Sequence, residues 1–306
     1  MNGKKNYMTF NAGIIGCSGT RFNEIYLPFF LEKKNQKKIN FLKVFNRTTL
    51  SSVKVAKILE SNVSSSIEDI LNDKDIDLVF LILPMNIRRD ILKNNIDKKK
   101  ILISEVPIVK NILDYHILIR NLNSKQINLY IFEDRYYFYK KVFNNFLKKP
   151  LNKIVLNNIE WMHHAYGAIA AINSKTNLKK VFYIKKKSSD EYLFKYNCFE
   201  ACYTFKNNKN ENVRENGIIS LEFHENGSKE FSFSKQEYKA LKCQSLDYFF
   251  DENEEKFKNF KQDTYLINHL KNEAIFVTII KIAKFTKFYW FPKFVVNIFI
   301  TLGVLK

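Results

Sequence analysis

Cysteine is scarce in this 306-residue chain: Cys17, Cys198, Cys202 and Cys243 are all there is. Four cysteines do not make a disulfide framework at this length. Cys198 and Cys202 stand four apart, but no second Cys or His pair is near enough in sequence to complete a zinc site, so reduced thiols and no metal centre are expected. Eight Gly and five Pro exclude collagen-like and Pro-rich low-complexity chains. The first ten residues are polar and basic and lack the apolar stretch of a signal peptide, which makes the cytoplasm the expected location. Acidic residues are few beside basic ones, 31 against 50, for a net charge of +19. Such a charge favours polyanions. The excess is spread evenly, however: residues 1–120 hold 20 bases and 12 acids, and the rest hold 30 and 19. With no basic block or tail, nucleic acid is not an expected partner.

What is present is globular. Hydrophobic residues make up 46%, charged residues 26%, and aromatics 15%, with 28 Phe and 16 Tyr. Short apolar runs alternate with helical patterns over the first 135 residues. Strands are expected at Asn11–Cys17, Ile39–Phe45, Ile76–Leu83, Lys100–Ser104 and Ile127–Glu133. Helices are expected at Asn23–Lys34, Ser51–Leu59, Ile67–Leu71 (capped from Ser64-Ser65-Ser66), Ile87–Asn95 and Ile112–Leu122. The third strand is apolar almost throughout, as a strand buried on both faces must be. Alternation of this kind predicts a doubly wound parallel sheet with right-handed crossovers.

Beyond Asp134 the pattern changes. A helix is expected at Tyr136–Lys148. Strands are expected at Lys153–Trp161, Val181–Lys185, Cys198–Phe205, Gly217–His224 and Lys229–Ser234, the later ones separated by Asn216-Gly217 and Asn226-Gly227 turn signals. A largely helical stretch follows over 252–288. The fold class is therefore α/β: a Rossmann-type domain over 1–122 and an α+β domain over 123–306 with a mostly antiparallel sheet.

The first strand runs into Gly16-Cys17-Ser18-Gly19-Thr20-Arg21 and then a helix. Small residues in such a turn let the backbone approach a pyrophosphate at the helix N-terminus. The Gly-x-Gly-x-x-Gly form is imperfect, with Ser18 in the second Gly position and Arg21 in the third. Six further segments follow in order. They are Tyr26-Leu27-Pro28, Val44-Phe45-Asn46-Arg47, Ser66–Leu71 with Asp75–Val79, Leu83-Pro84-Met85-Asn86, Ile103-Ser104-Glu105-Val106-Pro107, and Glu133-Asp134-Arg135-Tyr136. With the opening Gly13-Ile14-Ile15-Gly16-Cys17, this series resembles the glucose–fructose oxidoreductase/inositol dehydrogenase (Gfo/Idh/MocA) family. The resemblance covers residues 11 to about 136 well and the second domain loosely.

The resemblance implies an NAD(P) site built from Gly13, Gly16 to Thr20, Asn46, Arg47, Leu83, Pro84, Asn86, Glu105, Val106, Pro107 and Arg135. Arg135 would link the two domains. Asn46-Arg47 follows the second strand, where an acid would bind the ribose hydroxyls of NAD; a cation suits the 2′-phosphate of NADP, unless Arg47 is simply a solvated loop residue. Family members often pair through the open face of the second-domain sheet, so a homo-oligomer is expected. A sugar or nucleotide-sugar is the expected substrate.

The chemical end departs from the family. Its Glu-Lys-Pro motif carries a lysine that can assist proton transfer to the substrate oxygen; here Val106 has no proton to give. Where the family often has a His after the Pro-Asn loop, Arg88 stands. His164 aligns with the family's second-domain His, and with Tyr136 or Tyr166 it is a candidate proton carrier; the alternative is an ordinary aromatic site beside Trp161. Enzymatic activity therefore stays open between a sugar or polyol dehydrogenase and a pseudoenzyme that senses a ligand. A third reading rests on residues 275–305, basic, aromatic and amphipathic, with Lys281, Lys284 and Lys287 three apart. Such a segment suits peripheral contact with an anionic membrane. The alternative is the family's final helix, followed by a tail packed on the sheet or on a subunit partner.

Overall fold

The computed structural model describes residues 9–93, 100–109, 112–134, 136, 137, 140, 151–157, 181–186, 191–196, 200–204, 217–223, 227–233, 235–259, 290 and 291. The chain divides into two compact units. The first takes Met1–Ile108, Ile117–Phe132 and Leu246–Ile267; the second takes Val109–His116, Glu133–Ser245 and Asn268–Lys306.

The first unit holds six strands: β1 (Phe10–Ile15), β2 (Ile39–Phe45), β3 (Asn62–Val63), β4 (Leu78–Leu81), β5 (Ile101–Glu105) and β6 (Asn128–Phe132). Every pairing is parallel and the order is β3-β2-β1-β4-β5-β6. The chain moves outward from β1 in one direction and then, from β4, in the other. The sheet thus has a topological switch point between β1 and β4, and ligands of such sheets bind at the carboxyl ends of the strands there. All four residues of β4 and all five of β6 are buried, as expected of strands covered on both faces.

Among the described residues the helices are α1 (Leu27–Asn35), α2 (Thr49–Leu59), α3 (Ile67–Leu71), α4 (Met85–Lys93), α5 (Ile112–Lys125) and α6 (Lys235–Lys258). The residue 122/123 boundary expected from sequence falls inside α5. Ser66 caps α3 as predicted, its Oγ accepting from the Asp69 amide at 3.1 Å. The first helix differs from the uniform helix expected at Asn23–Lys34. A wide π-type turn, Phe22–Tyr26, precedes α1, with the Leu27 amide donating to the Phe22 carbonyl. Pro28 follows and has no amide hydrogen to return to the preceding turn, so the ladder is adjusted where the proline enters.

The core is aromatic. Phe30 packs on Phe41 and Phe80 at ring distances of 4.8 Å each. Phe250 and Phe257 on α6 close on Phe10, and Phe257 on Tyr130. The Lys33–Asp247 ion pair, 2.7 Å, ties α1 to α6. Lys100 is buried with its ammonium donating to the carbonyls of Asp73 and Ile76. The sequence reading did not anticipate β3, a two-residue exposed edge strand, or the start of α6 at Lys235, well before residue 252.

Among the described residues the second unit has seven strands, β7 (Leu151–Asn157), β8 (Val181–Lys186), β9 (Glu191–Tyr196), β10 (Glu200–Thr204), β11 (Gly217–Phe223), β12 (Gly227–Phe233) and β13 (Trp290–Phe291). Their order is β12-β11-β7-β10-β9-β8-β13. All pairs are antiparallel except β7–β10. The β11–β12 hairpin sets Phe223 opposite Gly227, where Asn226-Gly227 signalled a turn. β9 was not anticipated. Trp290 and Phe291, within the basic aromatic tail, pair with Lys185 and Ile184 of β8. The rest of 275–305 lies outside the described residues. No helix among the described residues is long and apolar enough to cross a membrane.

Candidate dinucleotide site

Two glycines shape the turn after β1. Gly16 has φ +92° and Gly19 φ +90°, a region that favours glycine. The Gly16 amide donates to the Phe45 carbonyl at 2.8 Å, and the Ile82 amide to the Ile15 carbonyl at 2.9 Å. The ends of β2, β1 and β4 are thereby held together at the switch point. A Cβ on Gly16 would run into the Ile82 carbonyl oxygen and stand 3.0 Å from the Leu83 side chain. Around Gly19, by contrast, a Cβ would meet nothing within 4 Å. Ser18, Gly19 and Thr20 are exposed. The second flexible position is therefore Gly19, one residue later than the sequence motif places it, and the turn is one residue longer. The following helix starts at Thr20, with the Asn23 amide bonded back to the Gly19 carbonyl. Its first amides have no intrahelical acceptor and face the turn's end.

The other predicted residues distribute unequally. Gly13 lies inside β1, where a Cβ would collide with the Ile70 side chain; its small size serves the packing of α3 on the sheet. Cys17 is buried, and burial pushes its thiol up to about 11, opposed by a hydrogen bond with Ser52. Asn46 is half-buried and its side-chain amide reaches the Thr48 carbonyl at 3.5 Å. Arg47 is exposed and makes no ion pair among the described residues. Leu83 is half-buried, while Pro84 and Asn86 are exposed at the start of α4.

At the end of β5, Glu105 is the hub. Its Oε1 accepts from the Arg21 Nε and from the Tyr26 hydroxyl, the latter at 2.8 Å. Tyr26 is fully buried, and burial, reinforced by the Glu105 charge, holds its phenol well above the ordinary range. It therefore stays a proton donor to the carboxylate. Arg88 is buried and forks onto the strand end: NH1 donates to Ser104 Oγ at 3.2 Å and to the Glu105 carbonyl, and NH2 to the Pro107 carbonyl at 3.0 Å. The Val106–Pro107 peptide is cis. The guanidinium thus holds the backbone of the loop in which the family carries its lysine.

Sequence reasoning named Glu105 but not its partners. Arg21 and Arg88 entered only as departures from a motif, and Tyr26 only as part of a helix match. Residues 21 and 105 are 84 positions apart, so only the strand order brings them together. Tyr136 belongs to the second unit, where it is buried and has Lys140 Nζ 5.4 Å from its ring centre. Arg135 and His164 lie outside the described residues. No group of three His, Cys, Asp or Glu suited to a metal occurs among the described residues.

A glycine turn at the switch point of a six-stranded parallel sheet, in the order found here, defines a dinucleotide-binding Rossmann domain. Residues 10–132 match the family described as oxidoreductase family, NAD-binding Rossmann fold, the Gfo/Idh/MocA oxidoreductases. An uncharacterized protein of Saccharomyces cerevisiae is 32% identical over 105 residues, a match that spans 33% of this chain and only 29% of that protein. A myo-inositol dehydrogenase from Corynebacterium glutamicum superposes with a TM-score of 0.64 at 8% identity, covering 90% of this chain and 98% of that one. A 3-ketoreductase from Actinomadura kijaniata, solved with TDP-benzene and NADP, gives 0.62 at 10% identity, covering 90% and 98%. At such identities the two structures establish the fold.

Proposed function

We propose that this chain binds NADP, or NAD less strongly, and acts on a sugar or nucleotide-sugar. The observation that carries the reading is Gly16. Its positive φ and its close approach to the Ile82 carbonyl, which any side chain would block, form the tight turn at the strand end against which a diphosphate lies in such sheets. The residues present fit the group. Gly16 and Gly19 carry no side chain, Ser18 and Thr20 are small and exposed, and the first amides of the helix are there for the diphosphate. Arg47, exposed beside Asn46, supplies a cation and no competing carboxylate for a 2′-phosphate. Leu83, Pro84 and Asn86 with Glu105, Val106 and Pro107 would border the nicotinamide. When bound, the dinucleotide supplies or accepts a hydride. Val106 can hold no proton for the sugar oxygen, so that task falls to His164 or Tyr136.

A second reading is favoured by the end of β5. Val106 is inert, the Glu105 carboxylate is engaged by Arg21 and Tyr26, and the loop backbone is engaged by Arg88. In that reading the protein binds the dinucleotide without turning it over and works as a ligand-sensing regulator through a partner. The homo-oligomer, the cytoplasmic location and a membrane-surface role for 275–305 extend these proposals; sedimentation with anionic vesicles, reversed by salt, tests the last.

Titration of the purified protein with NADPH and NADH, followed by nicotinamide fluorescence, decides the main reading. Saturable binding, tighter for NADPH, is the expected result, and no binding up to millimolar dinucleotide overturns it. A sugar-dependent change in the reduced-nicotinamide absorbance then separates the enzyme from the regulator.

A further inference from the structure

We propose that Glu105 competes with a bound ligand's diphosphate for Arg21, so that this internal carboxylate sets the affinity of the turn for the dinucleotide. The inference rests on the dinucleotide-binding reading above. Arg21 stands in the first turn of the helix that follows Gly16 and Gly19, beside the exposed Ser18, Gly19 and Thr20. A guanidinium there is within the reach of a side chain from any anion seated on the turn, and it prefers planar oxyanions such as carboxylate and phosphate. In the structure its Nε is on the Glu105 carboxylate.

Three features make exchange feasible. The Arg21 side chain is 36% exposed, whereas that of Glu105 is 12% exposed. The arginine therefore reaches solvent while the acid is largely enclosed. The carboxylate oxygen that Arg21 would leave keeps the Tyr26 hydroxyl at 2.8 Å, so it is not stranded without a donor. Arg88, donating to the backbone carbonyls of Glu105 and Pro107, holds the strand end in place whichever acceptor Arg21 takes. A carboxylate in this place lowers the positive charge the turn offers to a ligand, and its neutralisation raises it.

The sign of one variant is diagnostic. Glu105→Gln keeps an oxygen for Arg21 and Tyr26 but removes the charge. The expected result is NADPH binding tighter by about 3- to 10-fold in low salt, with the gain shrinking as salt rises. Arg21→Gln is expected to weaken binding by about 10-fold or more, and the double variant to show no gain from the Glu105 change. Tyr26→Phe, which strips the other donor from the carboxylate and strengthens its hold on Arg21, is expected to weaken binding about 2- to 5-fold. Inorganic pyrophosphate, used as a competitor of NADPH fluorescence, should follow the same order. If Glu105→Gln binds NADPH equally or more weakly while remaining folded by circular dichroism, the competition is overturned. Should that variant not fold, unchanged affinity in Arg21→Gln overturns it as well. A wild-type protein that binds no dinucleotide overturns the parent reading and this inference together, which distinguishes that failure from the others.

Discussion

Two strand ends in the first unit meet different demands. The end of β1 carries the turn proposed to hold the diphosphate, and its requirements are met by backbone: positive φ at Gly16 and Gly19, and an approach of Gly16 to the Ile82 carbonyl that any side chain would block. The end of β5 carries the loop in which the family keeps a lysine, and its requirements concern one side chain. The first end has absorbed an imperfect motif, an extra residue and Arg21 in a small position, yet retains its shape. The second holds Glu105, Pro107 and the Arg88 clamp, with Val106 where that family has a lysine. Backbone geometry can be met by several sequences, whereas general acid chemistry depends on the functional group at one place.

The largest effect expected of this comparison is at β5. Val106→Lys supplies an ammonium where the family has one. If the other parts of the site are intact, turnover of a sugar, read at the reduced-nicotinamide absorbance, should rise by about 10²- to 10⁴-fold, the usual contribution of a positioned acid or base. No gain with any sugar, in a variant that still binds NADPH, would show that the second end has lost more than a lysine.

The comparison is sharpened at β1. Gly16→Ala forces a side chain into φ +92° and against the Ile82 carbonyl. The expected cost is about 2–4 kcal/mol of stability, seen as a lower midpoint in urea, with loss of NADPH binding. Gly19→Ala has the same φ problem but open space. It should cost only about 1 kcal/mol and leave a folded protein. Equal losses at the two glycines would mean that the crowding at Gly16 does not matter.

Much of the first unit was legible because strand burial and helix periodicity leave strong traces. β4 reads Leu-Val-Phe-Leu and is buried throughout, and Ser66 signals its own cap. β3 was illegible because two exposed residues carry no periodicity; it exists through pairing with β2. β9, Glu191–Tyr196, sits between β8 and β10 and was hidden because Glu191 at its start and Lys195 near its end blur its alternation. At the site, single residues were legible and relations were not. Glu105 could be named from its motif, but its contacts with Arg21 and Tyr26 depend on β1 and β5 flanking β4, a fact of strand order rather than of local pattern.

The smallest effect again contrasts the two ends, through Cys17, which is buried just after Gly16 with its thiol held at about 11. A raised thiol means that the native state keeps its proton while the unfolded chain loses it. Stability is therefore unaffected well below the ordinary thiol value and falls as pH rises from about 9 towards 11. Between pH 8 and 9.5 the wild-type protein should lose under about 1 kcal/mol through this group, and Cys17→Ala should lose less over the same interval. Thermal unfolding at the two pH values measures this, and staying at 9.5 or below keeps the contribution of Tyr26, whose phenol titrates at about 10 once unfolded, smaller than that of the thiol. An identical pH response in the variant would mean that the decline arises elsewhere. Slow alkylation of Cys17 by iodoacetamide at pH 8, accelerated in urea, would report the same protonated, enclosed thiol by an independent route.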